Sequence, residues 1–293
     1  MSPLQQRILS RLQKLPPETN AYRVSDGDMY PGVFIDALAE RLLVSLRNVE
    51  LPQALLRQLQ ESGRPVFLKR LDNDVKTAPV QIAGSQLPLR FEIRENGVLY
   101  MMDMAAGYSQ GIFLDQRDNR AQVRALCRPG MTLLNTFAYT GAFSVCAALA
   151  GACTTTLDLA QPCLTWCREN MELNGIDPAA HHFCKGDTLH WLERFARQGR
   201  GFDAIVLDPP TFSRDAKGRI WRVEKDYDRL VEKAAACLNP GGWLFCSTNC
   251  RKLSPAAFRR MVAAGIPAAK LKTSPMPFDF DGDAYLKSLW AYL

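Results

Sequence analysis

The sequence DAIVLDPP at residues 203–210 places an aspartate and two prolines directly after a short apolar run. A continuous apolar run such as Asp203–Leu207 is typical of a strand buried in a parallel sheet. The prolines cannot extend a ladder of backbone hydrogen bonds, and they give the chain a stiff, extended exit. Asp208 is therefore expected at the carboxyl end of a parallel strand, where open α/β sheets bind their ligands.

From about residue 118 onward, short apolar runs alternate with segments of helical periodicity. This alternation predicts right-handed βαβ units and a parallel sheet covered on both faces. Strands are predicted at 131–135, 153–158, 182–187, 203–208 and 243–248, the last after a turn at 239–242, with two further strands within 270–293. Helices are predicted at 141–150, 161–174, 189–197 and 226–238.

The first 105 residues have a different pattern, with short strand-like runs separated by Asp, Asn and Gly turns. Strands are predicted at 22–24, 32–36, 41–47, 66–69, 89–94 and 98–103, with a helix at 51–62 and a short amphipathic helix at the N-terminus. Glu95-Asn96-Gly97 is a strong hairpin signal. We predict a small β-rich (α+β) domain in residues 1–105 and an α/β domain in residues 106–293.

Composition narrows the class of protein. The nine cysteines are an odd number and are scattered, which favours reduced thiols in a cytoplasmic protein over a disulfide framework. Cys163-x-x-x-Cys167 has no second ligand pair, so no metal site is expected. No apolar stretch approaches the ~20 residues that span a bilayer, and the N-terminus lacks the apolar region of a signal peptide. We therefore expect no membrane association.

Four predicted parallel strands end in polar residues that can converge on one ligand. The first leads into Asn135–Gly141, a turn of small residues that enters a helix and can present backbone N–H groups. The second ends at Asp158, suited to the two hydroxyls of a ribose, and the third at Asp187, suited to an adenine edge. The fourth ends at Asp208. Each aspartate can instead cap a helix or a turn, but their recurrence favours a binding site. Without a glycine-rich pyrophosphate loop, a nucleoside cofactor that lacks a phosphate fits best.

A basic segment follows the aspartate and the two prolines. Its bases are Arg214, Lys217, Arg219, Arg222 and Lys225, opposed by Asp215 and Glu224. Such a run is either a solvated loop or a loop that contacts phosphates, and its place at a strand end favours the second alternative. Phe212 and Trp221 are candidates for stacking on a flipped base, although Trp221 can equally anchor the loop.

Several motifs together carry a family resemblance. They are SQGIFLDQRDNR at 109–120, N-x-F-x-Y-T-G at 135–141, Asn170-x-x-x-Asn174 and DPP at 208–210. With these motifs the chain, from about residue 22 to the C-terminus, resembles the RlmI/RlmK-type large-subunit ribosomal RNA methyltransferases. The resemblance implies a class I, Rossmann-like, doubly wound sheet and S-adenosylmethionine as the cofactor. We expect no counterpart of the RNA-binding PUA domain of the RlmI branch before the small β domain.

The resemblance also implies roles for individual residues. The residues expected at the cofactor are Phe113, Gln116, Arg117, Asn135, Phe137, Tyr139, Thr140, Gly141, Asp158, Leu159, Asp187, Thr188, Asp208 and Pro209. The residues expected at the RNA substrate are Pro210, Phe212, Arg214, Lys217, Arg219 and Arg251. The expected partner is RNA, in particular large-subunit ribosomal RNA. The sequence leaves the choice between a monomer and a homodimer undecided.

The segment Ser247–Arg251 bears on which base atom receives the methyl group. Cytosine C5 is a poor nucleophile and requires attack on the ring by a cysteine, whereas guanine N7 offers a lone pair and requires positioning. The sequence STNCR resembles the guanine-N7 branch, with Asn249 where the cytosine-C5 branch has its cysteine. Asp208 and Asn249 are therefore the predicted catalytic residues, although Asn249 alone is also typical of a strand-end turn. Cys250 is one residue further along and should point elsewhere by strand alternation, unless a bulge intervenes.

Four functions follow from this pattern. The first is an S-adenosylmethionine-dependent methyltransferase acting on guanine N7 of large-subunit ribosomal RNA. The second is a cytosine-C5 enzyme that uses Cys250 or Cys246 as its nucleophile. The third is a non-catalytic RNA-binding or ribosome-assembly factor that retains the cofactor pocket. The fourth is a methyltransferase of small molecules or proteins, for which any RNA binding would be weak and insensitive to salt.

Overall fold

The computed structural model of the protein describes residues 1–71, 76–214 and 220–293, and of Arg214 the backbone alone. The chain forms two compact units, residues 1–117 with 277–284 and residues 118–276 with 285–293. The boundary predicted at 105/106 thus falls inside the first unit. Residues 106–117 carry no strong periodicity, and 277–284 joins the first unit from far along the chain. Local sequence patterns do not reveal an association of that kind.

The first unit contains a five-stranded sheet with the strand order β1-β2-β3-β4-β5 and a separate β6-β7 hairpin. Its elements are α1 (Pro3–Leu12), β1 (Ala21–Asp26), β2 (Val33–Leu38), β3 (Arg41–Leu46), α2 (Gln53–Glu61), β4 (Val66–Arg70), β5 (Val80–Ala83), β6 (Arg90–Glu95), β7 (Val98–Asp103) and a 3₁₀ turn (Leu114–Gln116). The hairpin predicted at 95–97 is confirmed, with Asn96 and Gly97 both at positive φ. Strand β5 was not predicted, because its four residues are largely exposed and lack an apolar alternation.

The C-terminal segment of the first unit is held by buried charges. The Arg117 guanidinium makes two hydrogen bonds to the Asp279 carboxylate, at 2.6 and 3.0 Å, and both side chains are almost fully buried. Arg11 donates to Asp281 at 2.7 Å. These pairs join residues more than half the chain apart in sequence, so the first unit is discontinuous.

The second unit is built on a seven-stranded sheet with the order β10-β9-β8-β11-β14-β16-β15. Its elements are α3 (Arg117–Leu126), β8 (Thr132–Thr136), α4 (Ala142–Leu149), β9 (Cys153–Asp158), α5 (Gln161–Leu173), a 3₁₀ turn (Pro178–Ala180), β10 (His182–Lys185), α6 (Thr188–Arg197), β11 (Phe202–Leu207), β12 (Phe212–Arg214), β13 (Ile220–Arg222), α7 (Val223–Ala235), β14 (Leu238–Thr248), α8 (Pro255–Gly265), β15 (Lys270–Ser274) and β16 (Lys287–Tyr292). The first five strands in the order are parallel, and β16 is antiparallel to both of its neighbours.

Alternate residues of the central strand β11 pack into two different cores. Ile205 and Leu207 belong to one apolar cluster, whereas Ala204 and Val206 belong to another. Because successive side chains of a strand point to opposite faces, helices cover both faces of this sheet. The predicted doubly wound α/β sheet is therefore confirmed.

The structure differs from the sequence prediction at several elements of the second unit. Helices α3 and α8 were not predicted, and α7 begins at Val223, three residues earlier than expected. The turn predicted at 239–242 is instead part of β14, which shifts register against β11 there. The basic segment after Asp208 contains the β12–β13 hairpin. Hairpin pairing and an irregular strand both depend on contacts outside the local sequence.

The strand order reverses between β8 and β11, which are neighbours in the sheet. From β8 the chain proceeds to β9 and β10 on one side, and from β11 it proceeds to β14 on the other. Thr136 pairs with Leu207 across this point, so the loop after β8 and Asp208 begin side by side. Such a reversal opens a crevice at the carboxyl ends of the strands, where doubly wound sheets bind ligands.

Candidate active site

The loop after β8 has an unusual backbone. Phe137, Tyr139 and Gly141 all have positive φ angles, of 51°, 50° and 75°. For side chains other than glycine this left-handed region is sterically disfavoured, and such conformations concentrate at ligand sites. The loop predicted at 135–141 therefore has the geometry of a binding loop rather than that of an ordinary connection.

Gly141 is required at its position for two reasons. It precedes the first residue of α4 with a left-handed backbone, and a Cβ atom there would overlap the Cys167 Sγ of α5 and lie 2.6 Å from the Cys167 Cβ. Any larger residue must therefore displace α5. The close approach of α5 brings a second anchor to the loop.

Helix α5 fixes the loop through Asn170. The fully buried Asn170 side chain donates to the Thr140 carbonyl oxygen at 2.9 Å, and Asn174 donates to the Asn170 carbonyl oxygen at 2.7 Å. This gives the Asn170-x-x-x-Asn174 motif a structural role that the sequence alone did not supply. Tyr139 and Thr140 are thereby held in place from two sides, because the Tyr139 N–H is bound as well.

Asp158, the last residue of β9, receives that N–H. Its Oδ2 accepts from Tyr139 N and its Oδ1 from Ala160 N, both at 2.8 Å. Burial raises the pKa of the Asp158 carboxyl, an effect that these backbone N–H donors oppose. A carboxylate has about four acceptor positions, more than the backbone N–H donors of Tyr139, Leu159 and Ala160 occupy, so Asp158 can still accept from a ribose hydroxyl. The neighbouring Leu159 side chain is 56% exposed.

Asp187 follows β10 and acts as a helix cap. Its Oδ1 accepts from His190 N at 2.9 Å at the start of α6, and Thr188 beside it is buried. The structure thus bears out the capping alternative for this aspartate. A cap occupies one carboxylate oxygen, so it does not by itself prevent Asp187 from accepting from a ligand.

Asp208 is linked to the end of β14. Ser247 Oγ donates to Asp208 Oδ1 at 2.5 Å. The Tyr227 hydroxyl lies 2.9 Å from the Leu207 carbonyl oxygen and 3.1 Å from that of Ser247, and burial raises the pKa of Tyr227 well above its ordinary value. A protonated Tyr227 therefore joins the two strand ends that carry Asp208 and Ser247. Neither Ser247 nor Tyr227 was predicted, because their roles depend on the register of β11 and β14.

The residues after β14 divide into one exposed side chain and one buried side chain. Asn249 is exposed, whereas Cys250 is 5% exposed and packs in the core cluster that contains Leu253 and Phe258. The Cys250 carbonyl oxygen accepts from the Lys287 Nζ at 2.7 Å. Cys246 is fully buried within the strand, and burial raises the pKa of its thiol to about 12. Both thiols are thus shielded from solvent, whereas the side-chain amide of Asn249 is exposed.

The β12–β13 hairpin presents an aromatic side chain. Phe212 is 51% exposed, and the Arg222 guanidinium lies 5.8 Å from its ring centroid. Trp221 Nε1 donates to the carbonyl oxygen of the exposed Pro210 at 3.0 Å, and its ring packs 6.4 Å from that of Phe137. Trp221 therefore anchors the hairpin, as the alternative interpretation proposed, and Phe212 remains the accessible ring.

Other predicted substrate and cofactor residues lie in varied surroundings. Pro209 is buried, and Arg251 is exposed with its guanidinium 4.9 Å from the Tyr285 ring centroid. Lys217 and Arg219 lie outside the described residues, and the side chain of Arg214 is likewise not described.

Two predicted cofactor residues have internal partners. Asn135 is buried and donates to Ser144 Oγ at 3.0 Å, and the same oxygen accepts from Thr156 at 2.8 Å. Arg117 belongs to the first unit, where it forms the buried pair with Asp279. The contact of these two residues with the cofactor stays a prediction. In the first unit, Gln116 is buried and Phe113 is 42% exposed.

Two negative findings accompany this geometry. In the parts of the chain that the structure describes, no group of three or more His, Cys, Asp or Glu side chains is arranged to hold a metal ion. Over residues 1–71, 76–214 and 220–293, no helix is long and apolar enough to cross a membrane.

The sheet and its strand ends define a class I, Rossmann-like methyltransferase fold. Comparison with known proteins identifies the family. The S-adenosylmethionine-dependent methyltransferase family matches residues 37–291. The chain belongs to this family, its resemblance to the RlmI/RlmK-type enzymes is confirmed, and its cofactor is S-adenosylmethionine.

Individual relatives agree with this assignment. Over 290 residues the chain is 32% identical to ribosomal RNA large subunit methyltransferase I of Shewanella denitrificans, covering 91% of this chain and 72% of the relative. Over 163 residues it is 38% identical to ribosomal RNA large subunit methyltransferase K of Neisseria meningitidis serogroup B, covering 55% of this chain and 46% of the relative. The crystal structure of SMU.776, a methyltransferase candidate complexed with SAH, superimposes with a TM-score of 0.88 at 29% identity, covering 99% of this chain and 79% of that one.

Proposed function

We propose that the protein methylates RNA and that its acceptor is guanine N7 in large-subunit ribosomal RNA. The RNA substrate is supported by the names of the two relatives, both ribosomal RNA large subunit methyltransferases. The choice of N7 rests on one observation, that the end of β14 exposes Asn249 while Cys246 and Cys250 are buried.

S-adenosylmethionine, when bound, supplies a methyl group already activated on a sulfonium. Asp158 would accept from its ribose, because the carboxylate has more acceptor positions than its backbone donors occupy. The backbone of the strained loop from Phe137 to Gly141 would contact the cofactor beside that carboxylate. Asp187 would accept from the adenine edge with the oxygen that does not cap α6. Leu159, Thr188 and Pro209 adjoin these carboxylates in sequence, and the resemblance adds Phe113 and Gln116.

At guanine N7 the protein has to hold the base rather than remove a proton. The bound cofactor would supply its methyl group to the N7 lone pair and leave as the neutral thioether, so the methylated purine would carry a positive charge. The Asn249 amide would donate to guanine O6, which orients the base and leaves N7 free. The Asp208 carboxylate, fixed by Ser247, would stabilise the developing positive charge. Phe212 would stack on the flipped base, and Arg251 would bind a phosphate. For Arg214, Lys217 and Arg219 the contact with phosphates stays a prediction from the sequence.

Cytosine-C5 chemistry would require a thiolate instead. Burial raises the pKa of Cys246 to about 12, so its thiol stays protonated at neutral pH. Cys250 lies in an apolar cluster, and it would have to leave that cluster to reach a base. The exposed amide at Asn249 needs no such rearrangement.

The test compares Asn249→Ala with Cys250→Ala on ribosomal RNA from cells that lack this chain. We expect Asn249→Ala to lower the rate of methyl transfer by on the order of 100-fold, as the loss of a positioning hydrogen bond in a transition state does. Cys250→Ala should retain transfer, because its thiol takes no part. Mass spectrometry of the nucleosides should identify 7-methylguanosine.

Each alternative function has its own outcome in the same assay. Loss of transfer in Cys250→Ala together with 5-methylcytidine as product would contradict the N7 proposal. Binding of RNA and S-adenosylhomocysteine without any methyl transfer would indicate a non-catalytic factor. Weak RNA binding that does not respond to salt would indicate a substrate other than RNA.

A further inference from the structure

A basic cleft lies at the free edge of the seven-stranded sheet, apart from the strand ends that carry Asp208 and Asn249. It has a volume of ≈ 590 Å³ and is formed by β10, α6 and the ends of the neighbouring segments. Among the residues that the structure describes, strand β10 pairs with β9 alone, so no other described strand covers its outer edge. The residues that line this cleft include Arg168, His182, Phe183, Trp191, Arg194 and Arg200.

Three arginines of the cleft lie over aromatic rings. The Arg168 guanidinium carbon lies 3.9 Å from the Phe183 ring centroid, and that of Arg194 lies 4.8 Å from the Trp191 centroid. The Arg200 guanidinium carbon lies 5.0 and 5.1 Å from the ring centroids of Phe195 and Phe202. A guanidinium that stacks on a ring keeps its N–H groups in its own plane, where they can donate to a phosphate. Stacking also restricts the rotamers, so less entropy is lost when an anion binds.

The positive charge of these arginines is not neutralised locally. Within the described residues, no carboxylate lies at ion-pair distance from Arg168, Arg194 or Arg200. The nearby Glu193 pairs with Lys233 at 2.7 Å. Asp177 accepts from Ala179 N at 2.9 Å and forms no ion pair with these three arginines in the described chain.

The two histidines add ring surface. His181 accepts a hydrogen bond from Thr154 N at 3.1 Å, and burial lowers its pKa, so its ring is neutral at physiological pH. His182 is exposed at the mouth of the cleft. The cleft therefore combines cations without a carboxylate partner with aromatic faces, the two features that bind single-stranded nucleic acid.

We infer that this cleft is an auxiliary RNA-binding subsite that takes a phosphodiester group and an adjacent unstacked base of single-stranded RNA. This inference rests on the proposed function in one respect, that the substrate is RNA. Arg168 and Arg194 donate to the phosphate, and the aromatic and guanidinium planes receive the base. The position agrees with a role in substrate binding. Strand β10 lies three strand spacings from β11, about 14 Å, a distance that a few nucleotides span.

The test is a double variant, Arg168→Gln with Arg194→Gln, in the full chain. A short labelled single-stranded RNA oligonucleotide is titrated at several salt concentrations. We expect roughly ten-fold weaker binding and a plot of log affinity against log salt that is shallower by about 0.7, as for one lost phosphate contact on a single strand. Affinity for S-adenosylhomocysteine, measured by calorimetry, should stay unchanged and so report an intact fold.

The matched control is the double variant Arg259→Gln with Arg260→Gln. Arg259 and Arg260 are exposed arginines on α8, the helix that leads into β15 at the opposite edge of the sheet. This control also loses two positive charges, so equal weakening in it would show that RNA binding depends on overall charge and would overturn the inference. Unchanged RNA binding in the double variant of the cleft would overturn it too, as would tighter binding of an acidic peptide than of RNA.

A direct readout completes the design. RNA containing 4-thiouridine, crosslinked by light and mapped by mass spectrometry, should label the peptides that contain Phe183 and Trp191. Crosslinks confined to other peptides would overturn the inference. A failure of the proposed function can be distinguished from a failure of this inference. A protein that binds RNA through the cleft but transfers no methyl group to it would refute the function and leave the subsite standing.

Discussion

At the scale of single residues, Gly141 combines a left-handed backbone with a close contact, and the two effects can be separated. Gly141→Ala places a methyl group against the Cys167 side chain and also forces an alanine into the left-handed backbone conformation. Gly175→Ala, at φ +70, meets only the strain, since its Cβ would have no heavy atom of the described chain within 4 Å. We expect the free energy of unfolding to fall by about 1 kcal/mol for Gly175→Ala and by about 3 kcal/mol for Gly141→Ala. Urea denaturation measures both.

Cys167→Ala in the Gly141→Ala background provides the control, because it removes the overlapping Sγ atom. Partial recovery of stability is expected from this second substitution. Equal losses for the two glycine variants, or no recovery, would show that α5 moves freely and that the close contact does not fix the loop.

Asp158 should make cofactor binding depend on pH. Burial raises the pKa of its carboxyl, so protonation begins at a higher pH than for an ordinary aspartate. The ionised carboxylate is therefore less stable in the folded protein than in the unfolded chain. Its unfavourable contribution to stability is present at neutral pH and is relieved as the pH falls through the raised value. Ribose binding needs the ionised form, so affinity for S-adenosylhomocysteine should fall over that same range.

Asp158→Asn tests this directly by calorimetry across pH. The amide replaces an acceptor oxygen with a donor, so affinity at neutral pH should fall by at least ten-fold, or about 1.5 kcal/mol for one charged hydrogen bond. The remaining affinity should then lose the acid-side dependence. A wild-type-like pH profile in this variant would assign the titration to another group.

At the scale of elements, the ends of β11 and β14 depend on one hydroxyl from α7. Tyr227→Phe keeps the ring and its edge-on contact with Phe258, whose centroid is 4.9 Å away, but removes the donor to the carbonyls of Leu207 and Ser247. Leaving a buried acceptor short of a donor costs about 1–3 kcal/mol, and the melting temperature should fall accordingly. Because these strand ends hold Ser247 against Asp208, methyl transfer should fall more than cofactor affinity. A loss of stability with transfer unchanged would contradict this coupling.

The same elements show how far sequence patterns reach. Strand β11 is a buried, bounded apolar run, β9 is a buried run rich in β-branched threonine, and β8 is a buried run that contains two leucines. The positions of these strands, and the aspartates at the ends of β9 and β11, could therefore be predicted. Helices α3 and α8 were missed, although α8 begins with a Ser-Pro signal at Ser254. Ser247 could not be found, because its contact with Asp208 depends on strand register. The internal partners of Asn135 and Arg117 could not be predicted either, because a motif gives residue types and not the direction in which a side chain points.

At the scale of the whole molecule, the first unit is completed by a segment that the chain supplies only near its end. Asp279 receives two hydrogen bonds from Arg117 and one from the backbone N–H of Arg23, at 2.9 Å. Asp281 binds Arg11 and Arg7. Four residue pairs of this kind in the first unit join residues more than 150 positions apart in the sequence. The first unit therefore folds either after the segment 277–284 is in place or without these pairs. A loop closure this long adds to the entropic cost of reaching the transition state.

The Arg117–Asp279 pair therefore provides the sharpest test of the discontinuous unit. Each single variant, Arg117→Met or Asp279→Leu, leaves one charge buried without its partner and should lower the free energy of unfolding by about 3–5 kcal/mol. The double variant replaces both charges with apolar groups and should recover most of that loss, because the attraction within a buried ion pair exceeds the cost of its desolvation by little. Urea denaturation of all four proteins yields the coupling energy. Additive losses would mean that the two side chains are hydrated in solution and that the segment 277–284 is not held by this pair.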